Sequence, residues 1–205
     1  VTGFYLDAGE LKALAEQLGA TPAQMSGAYN KALRGTLAKY RREALTLMMA
    51  QTGGKDKKAL QRRVKVFGQR LALTAAAPGQ GKLWFGLNAL PVSSVKGRKE
   101  APPQPSRRRD ARGRFIRMSG ARGITFTPES PQLAALSFPD SFIGIVRGRE
   151  TIWQRNGRGF VHEATVPIYG PVRRAVSDDL YQEMNAELLK RFEQDMRGRI
   201  AGGIR

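Results

Sequence analysis

The residues of this chain that could do chemistry are few, and most of them are arginines. Arg98, Arg107, Arg108, Arg109, Arg112 and Arg114 crowd into one stretch, and guanidinium groups make bidentate contacts with phosphate and carboxylate alike. Phe115 stands almost alone among them, so the interleaved aromatics that would stack bases are missing. If these six residues touch nucleic acid, the expected contact is to its backbone, without reading of sequence.

Other candidates fall away on spacing. Gly79-Gln80-Gly81-Lys82 lacks the length and the following hydroxyl of a phosphate-binding loop. His162 and Glu163 are adjacent, and neighbours on an extended segment point to opposite faces, so they make a poor acid–base pair. There is no Gly-x-Ser-x-Gly nucleophile turn and no carboxylate cluster suited to magnesium. With no cysteine and one histidine, zinc sites built from those residues and disulfides are excluded or nearly so. The expectation is a protein that is not an enzyme and uses no cofactor or metal.

Charge points the same way. The chain carries a net +18 over 205 residues, a field that attracts polyanions and repels copies of itself. Its distribution is uneven: residues 55–122 hold 18 Lys and Arg against three acids, whereas residues 178–205 hold five against six. A polyanion, either nucleic acid or an acidic protein surface, is therefore expected beside the middle of the chain.

The elements that must position this charge can be read from periodicity and caps. Residues 7–18 place Leu11, Leu14, Ala15 and Leu18 at helical spacing, with Gly19 as a stop. Thr21 then caps a helix whose first residue is Pro22, and an apolar row from Met25 to Met48 carries it to Thr52-Gly53-Gly54, a span of about 45 Å. Lys31, Arg34, Arg41 and Arg42 lie off that row and read as a solvated face, with polyanion contact as the second option. Asp56 can cap a short basic helix through Val64. Period-two patterns follow at Leu71 to Leu73, Leu83 to Leu87, Ile124 to Thr127, Ser141 to Arg147, Thr151 to Arg155 and Thr165 to Tyr169, with Gly148-Arg149-Glu150 as a hairpin turn.

From Pro171 a last helix is expected, with Val172, Val176, Leu180, Met184, Leu188, Phe192 and Met196 spaced by four. Steps of four precess by about 40° per step, so this row winds around the helix. Its distal residues Leu188, Phe192 and Met196 are the expected contact with another subunit.

Residues 96–122 are of another kind, rich in Gly, Pro, Ser and Arg with almost nothing to fill a core. They read as an inserted arm or long loop that cannot hold a shape by burial, to be ordered by a second copy, another protein or DNA. The fold class is then α+β. A long N-terminal helix and a C-terminal helix pack on a small, mainly antiparallel sheet within a single domain over residues 1–205, with the basic arm extended from it. No run of about 18 apolar residues occurs, and the N-terminus does not read as a signal peptide. A soluble protein made in a reducing cytoplasm, with no membrane partner, is expected.

Several strings, taken in order, resemble the minor tail protein Z family of long-tailed bacteriophages, the tail-completion or neck proteins. They are Asn30-Lys31-Ala32-Leu33, Ala59-Leu60-Gln61-Arg62-Arg63-Val64, Ser141-Phe142-Ile143, Ile152-Trp153-Gln154-Arg155, and Val166-Pro167-Ile168-Tyr169-Gly170-Pro171 before the final helix. Together they span roughly two thirds of the chain, and residues 96–139 depart from the pattern by being longer and richer in Pro and Arg. The resemblance implies a structural virion protein at the head-proximal end of the tail, a homo-oligomeric ring that enables head–tail joining. Its implied partners are other neck and tail proteins (a tail terminator, head-completion or connector proteins), with the backbone of the genomic DNA as a further candidate. A sequence-independent nucleic-acid-binding protein is the alternative that charge alone supports.

Overall fold

The computed structural model describes residues 2–4, 8–70, 79–102, 111–113, 123–146, 148–156, 158, 160–176, 180 and 183–204. The chain is α+β, with a long N-terminal helix packed on a C-terminal helix and several small antiparallel sheets. Its contacts fall into two compact units, each assembled from separate stretches of sequence.

Unit 1 comprises residues 1–47, 58–86 and 173–205. It begins with strand β1 (Thr2–Phe4) and helix α1 (Ala8–Gln17), which buries Leu11 and Ala15. Gly19 sits at φ +65°, and the Ala20 N–H donates to Ala15 O at 2.9 Å, which is the glycine-terminated helix end anticipated there. Helix α2 (Pro22–Thr52) starts on a reciprocal cap. The Gln24 N–H donates to Thr21 Oγ1 at 3.3 Å and the Thr21 N–H to Gln24 Oε1 at 2.9 Å. Ala28, Tyr29, Ala32, Leu33, Leu37, Tyr40 and Ala44 are all buried along it.

The short helix α3 (Lys57–Gln61) stops before the expected end, and Val64 instead opens strand β2 (Val64–Gln69). Leu60 and Val64 are four apart and suit a helix, but Val64, Val66 and their alternating neighbours also suit a strand. The ladder with β3 (Gln80–Phe85) decides between them. The unit 1 sheet has the order β1-β3-β2, antiparallel throughout.

The region expected as the last helix holds the α-helices α4 (Tyr169–Ala175) and α5 (Met184–Ala201), with Val176 and Leu180 between them in π-helical geometry. Seven residues spaced by four would carry an apolar row about 240° around one helix, far wider than one core face. Between the two α-helices Val176 and Leu180 are π-helical, and a wider turn of that kind slows the precession of residues spaced by four. Within α5, Met184, Leu188, Phe192 and Met196 cover about 120°, and all four are buried in unit 1.

α5 runs antiparallel to α2 in a regular register. Lys31 pairs with Asp195, and Lys39 reaches Glu187 at 3.1 Å. At alternate positions along the same seam the guanidiniums of Arg199 and Arg191 lie against Gly27 and Gly35, where a Cβ would come within 2.8 and 2.9 Å of them. Arg191 and Arg199 also bond to Glu187 (2.6 Å) and Asp195 (2.7 Å), four residues earlier on their own helix. Lys31 is thus part of an ordered interhelical network.

A pH dependence follows from this network. The hydrogen bond from Arg191, with help from Lys39, holds the Glu187 carboxyl below its usual range against the opposing effect of burial. For Asp195, burial is the largest single effect and raises the pKa, but the hydrogen bonds and charges of Lys31 and Arg199 outweigh it. Groups depressed by folding stabilise the fold above their ordinary pKa, and that stability is lost as pH falls through the folded value. Unit 1 should therefore hold its melting temperature from neutrality down to about pH 5 and lose it progressively below about pH 4. Thermal melts followed by circular dichroism will show this, and the Glu187→Gln/Asp195→Asn double variant should flatten the acid limb. The buried Tyr40 behaves oppositely. Burial, then the charges of Glu43, Glu183 and Glu187, push its hydroxyl up to about 12, so it stays neutral across the physiological range.

Unit 2 comprises residues 48–57 and 87–172. Strand β4 (Leu90–Pro91) leads through a 3₁₀ turn (Val92–Ser94) into β5 (Gly97–Glu100), followed by β6 (Ile124–Pro128) and β7 (Leu136–Phe138). A second run of strands contains β8 (Ser141–Val146), β9 (Arg149–Arg155), β10 (Val161–Glu163) and β11 (Thr165–Val166). They form three antiparallel sheets with orders β5-β6-β7, β10-β9-β8 and β11-β4. Gly148, at φ +74°, takes the turn between β8 and β9 as expected, whereas Arg149 and Glu150, expected in the turn, already belong to β9 and pair with Val146 and Ile145. Val92, Val95, Phe126, Ile152, Val166 and Ile168 form the centre of the unit's core.

Candidate functional site

The basic segment is anchored on unit 2 by a ladder. Residues 96–100, expected as the start of an arm, include strand β5, and β5 pairs with β6 from Gly97↔Pro128 to Glu100↔Thr125. The chain leaves the sheet after Glu100 and re-enters before Ile124, with seven arginines and one acid between these two points. Both ends of the cationic stretch are therefore held at neighbouring positions of one antiparallel pair. Residues 124–138, which depart from the resembled pattern, supply the partners β6 and β7 that hold it.

Two close backbone approaches set this anchor. At Gly97 a Cβ would lie 2.5 Å from Thr127 O and 2.6 Å from the Phe126 ring, and at Gly123 it would lie 1.5 Å from Phe138 O. Only glycine lets the strands close at either end of the arm. These two residues matter to the site, and sequence reasoning passed over them because a glycine in a Gly-rich stretch carries no local mark of crowding.

Of the six arginines singled out by sequence, Arg98 lies on β5 with its side chain 77% exposed and ion-paired to Glu100 on the same face of the strand. Arg112 is exposed. Arg107, Arg108, Arg109 and Arg114 lie outside the described residues. Leu188, Phe192 and Met196 are not available to another subunit: each is 0% exposed, closed inside unit 1. The winding of their row, read as a sign of a second contact, is small enough over α5 to fit one core face.

Beside the anchor the structure brings together lysines that sequence reasoning left scattered. α2 ends with Gly53 at φ +58°, and the Gly54 N–H donates to Met49 O at 3.3 Å. The chain then turns alongside residues 94–96: Gly54 bridges Val95, the Lys55 N–H donates to Ser94 O at 2.8 Å, and the Lys96 N–H to Gly53 O at 2.9 Å. Lys55, Lys96 and Lys99 consequently line one open cavity of about 360 Å³, together with Ser93, Gly97 and Glu150. Lys99 Nζ donates to the Glu150 backbone carbonyl at 3.2 Å, whereas Lys55 and Lys96 make no ion pair with any described residue.

The discarded motifs keep structural roles. Glu163 Oε1 accepts the Ser93 N–H at 3.0 Å, while His162 is exposed on the opposite face of β10. Gln80 to Lys82 belong to strand β3 rather than to a loop, and Gly79 O accepts the buried Tyr29 hydroxyl. Among the described residues no group of three or more His, Cys, Asp or Glu could hold a metal ion, and no helix is long and apolar enough to cross a membrane.

No protein-family model matches the chain, and no curated protein or solved structure matches it either. Function has to be argued from the site.

Proposed function

We propose that this chain is a structural subunit of a long-tailed phage virion, a neck or tail-completion protein at the head-proximal end of the tail that works as a ring and enables head–tail joining. The ordered strings that resemble the minor tail protein Z family supply the biological setting. The observation that carries the subunit reading is the edge of the sheet β10-β9-β8. Strand β8, Ser141 to Val146, contains no charge and no proline, and its outer edge pairs with no strand among the described residues. Ile143 and Ile145 are exposed on one of its faces, Ile145 to 72%, and Phe160 at the far hairpin to 69%.

Chains that live alone protect such edges with lysine, proline or a bulge. This one has more lysine and arginine than most chains and none of it on β8, which fits an edge that a neighbouring subunit covers. Mechanism is then mechanical and electrostatic: unit 1 is the rigid wedge, the β8 edge and the Ile143/Ile145 face meet the next copy or a neighbouring neck protein, and the arginine arm clasps an adjoining molecule. Neither reaction chemistry nor a cofactor enters this reading.

Incorporation into particles tests it. Ile145→Lys, at a position 72% exposed, and the triple variant Arg107→Ala/Arg108→Ala/Arg109→Ala, which removes charge from a stretch with almost nothing to fill a core, should both purify folded, and both should enter virions at least about tenfold less than the parent chain, as disruption of a central contact of 2 kcal/mol or so implies. Normal incorporation and infectivity of both variants would remove the support for the assembly reading. If the parent chain binds duplex DNA in isolation with a steep salt dependence and is absent from particles, the general nucleic-acid-binding alternative takes its place.

A further inference from the structure

The geometry points to the Lys55/Lys96/Lys99 cavity of unit 2 as a phosphate-binding site for the backbone of double-stranded nucleic acid. It deepens the proposed function by naming a partner, and rests on that reading only for the source of the DNA.

Three lysines line one open cavity with a single acidic residue, Glu150, among them. Like charges at one site repel each other, and a fold gains nothing by collecting them unless an anion joins them. The collection is also built: two short backbone hydrogen bonds and a bridge register residues 53–55 against 94–96, bringing Lys55 into place from 41 residues away in sequence.

The class of anion follows from what surrounds the cavity. Lysine is a compact point charge suited to phosphate oxygens. No aromatic side chain lines the cavity, so stacking of bases on a single strand has no platform. Strand β5 leads from Lys96 and Lys99 directly into the stretch of seven arginines. With lysines in the cavity and seven arginines following in sequence, this part of the chain suits a ligand that offers many closely spaced anions. Duplex DNA, with one negative charge per roughly 1.7 Å of axis, does so, and a folded acidic protein surface rarely does. The contact is to phosphates alone and carries no sequence preference.

The test is a salt titration of the full-length chain with a fluorescent duplex of random sequence. Relative to the parent chain, Lys55→Ala/Lys96→Ala/Lys99→Ala should bind about tenfold or more weakly at moderate salt, and its log K against log salt slope should be shallower by roughly 2 to 3, near 0.9 per lost phosphate contact. Because Lys99 also holds the Glu150 carbonyl, Lys55→Gln/Lys96→Gln serves as a second variant that leaves that bond in place, with a slope change of about 2. An unchanged slope in folded variants would overturn the inference. So would saturable competition by inorganic phosphate at matched ionic strength, which assigns the cavity to a small phosphorylated ligand. Loss of poly-glutamate binding with duplex binding intact would overturn it as well and assign the cavity to an acidic protein. Particle incorporation of the same variants keeps the two readings apart: a variant that loses duplex affinity yet assembles normally leaves the cavity's assignment standing without a role in the ring, and absence of the parent chain from virions removes the neck reading while the salt slope still judges the cavity.

Discussion

Gly123→Ala should destabilise unit 2 by about 3 kcal/mol or more, at or beyond the top of the range for overpacking a well-formed site. The added Cβ would lie 1.5 Å from the Phe138 carbonyl oxygen, 2.3 Å from its carbon and 2.8 Å from Pro139 Cα. All three are backbone atoms, so no side-chain rotation can relieve the clash. Relief requires β6 to move away from β7 at Ile124↔Phe138, the first rung of their ladder. Hydrogen exchange should show the amides of β5, β6 and β7 losing protection, and the melting temperature of unit 2 should fall by several degrees. Gly170→Ala is the matched control: a Cβ there meets nothing within 4 Å, and the position lies in the first turn of α4. A Gly123→Ala protein that melts like this control would mean that the strands do not close behind the arm as described. The consequence for function is direct, because the same closure sets where the arginine stretch re-enters the sheet.

Phe192→Ala should cost unit 1 about 3 to 5 kcal/mol, the usual range for truncating a buried aromatic ring. Phe192 is fully buried and stands edge-on to Tyr29, with ring centroids 6.3 Å apart and planes at 72°. Such a pair adds roughly 0.5 to 1.5 kcal/mol beyond the area it buries. Tyr29 cannot swing in to fill the space, because its hydroxyl is held by the Gly79 carbonyl. Urea denaturation of the purified chain measures the loss, and Phe192→Leu should recover most of it by refilling the volume. The result also separates two roles for this residue. A side chain on a subunit contact would leave the isolated chain as stable as before and weaken only assembly, whereas one that closes the core weakens the chain wherever it is.

The Lys31–Asp195 and Lys39–Glu187 pairs add to unit 1 in a different manner. Their ions are partly exposed, so each is worth little by itself. What they contribute is register. Charged pairs alternate with guanidiniums seated over Gly27 and Gly35, and sliding α5 by one turn along α2 would set Lys31 against Arg191 or Arg199. Like charges would then meet where opposite ones do now, which penalises the slipped alignment.

How much of this was legible beforehand depended on distance along the chain. Thr21, Pro22 and Gln24 mark the start of α2, and Thr52-Gly53 its end, through bonds that reach no more than five residues; periodicity over the same window named the residues that α2 buries. The same local rules placed β6, β8 and the turn at Gly148, and they set the concentration of positive charge between residues 55 and 122. Where two local patterns were both satisfied, as at Val64, a pairing with a distant strand chose between them. Folding alone could seat Lys55 beside Lys96, oppose Lys31 to Asp195, close Gly123 on Phe138 and enclose Phe192. Each of these joins residues that are far apart in sequence or decides which face of an element is covered, and the side-chain types involved are compatible with many other partners. A cap is determined by its neighbours because a hydrogen bond between them needs only a local turn of the backbone; a cluster of lysines in one cavity needs the whole of unit 2 to be assembled around it first.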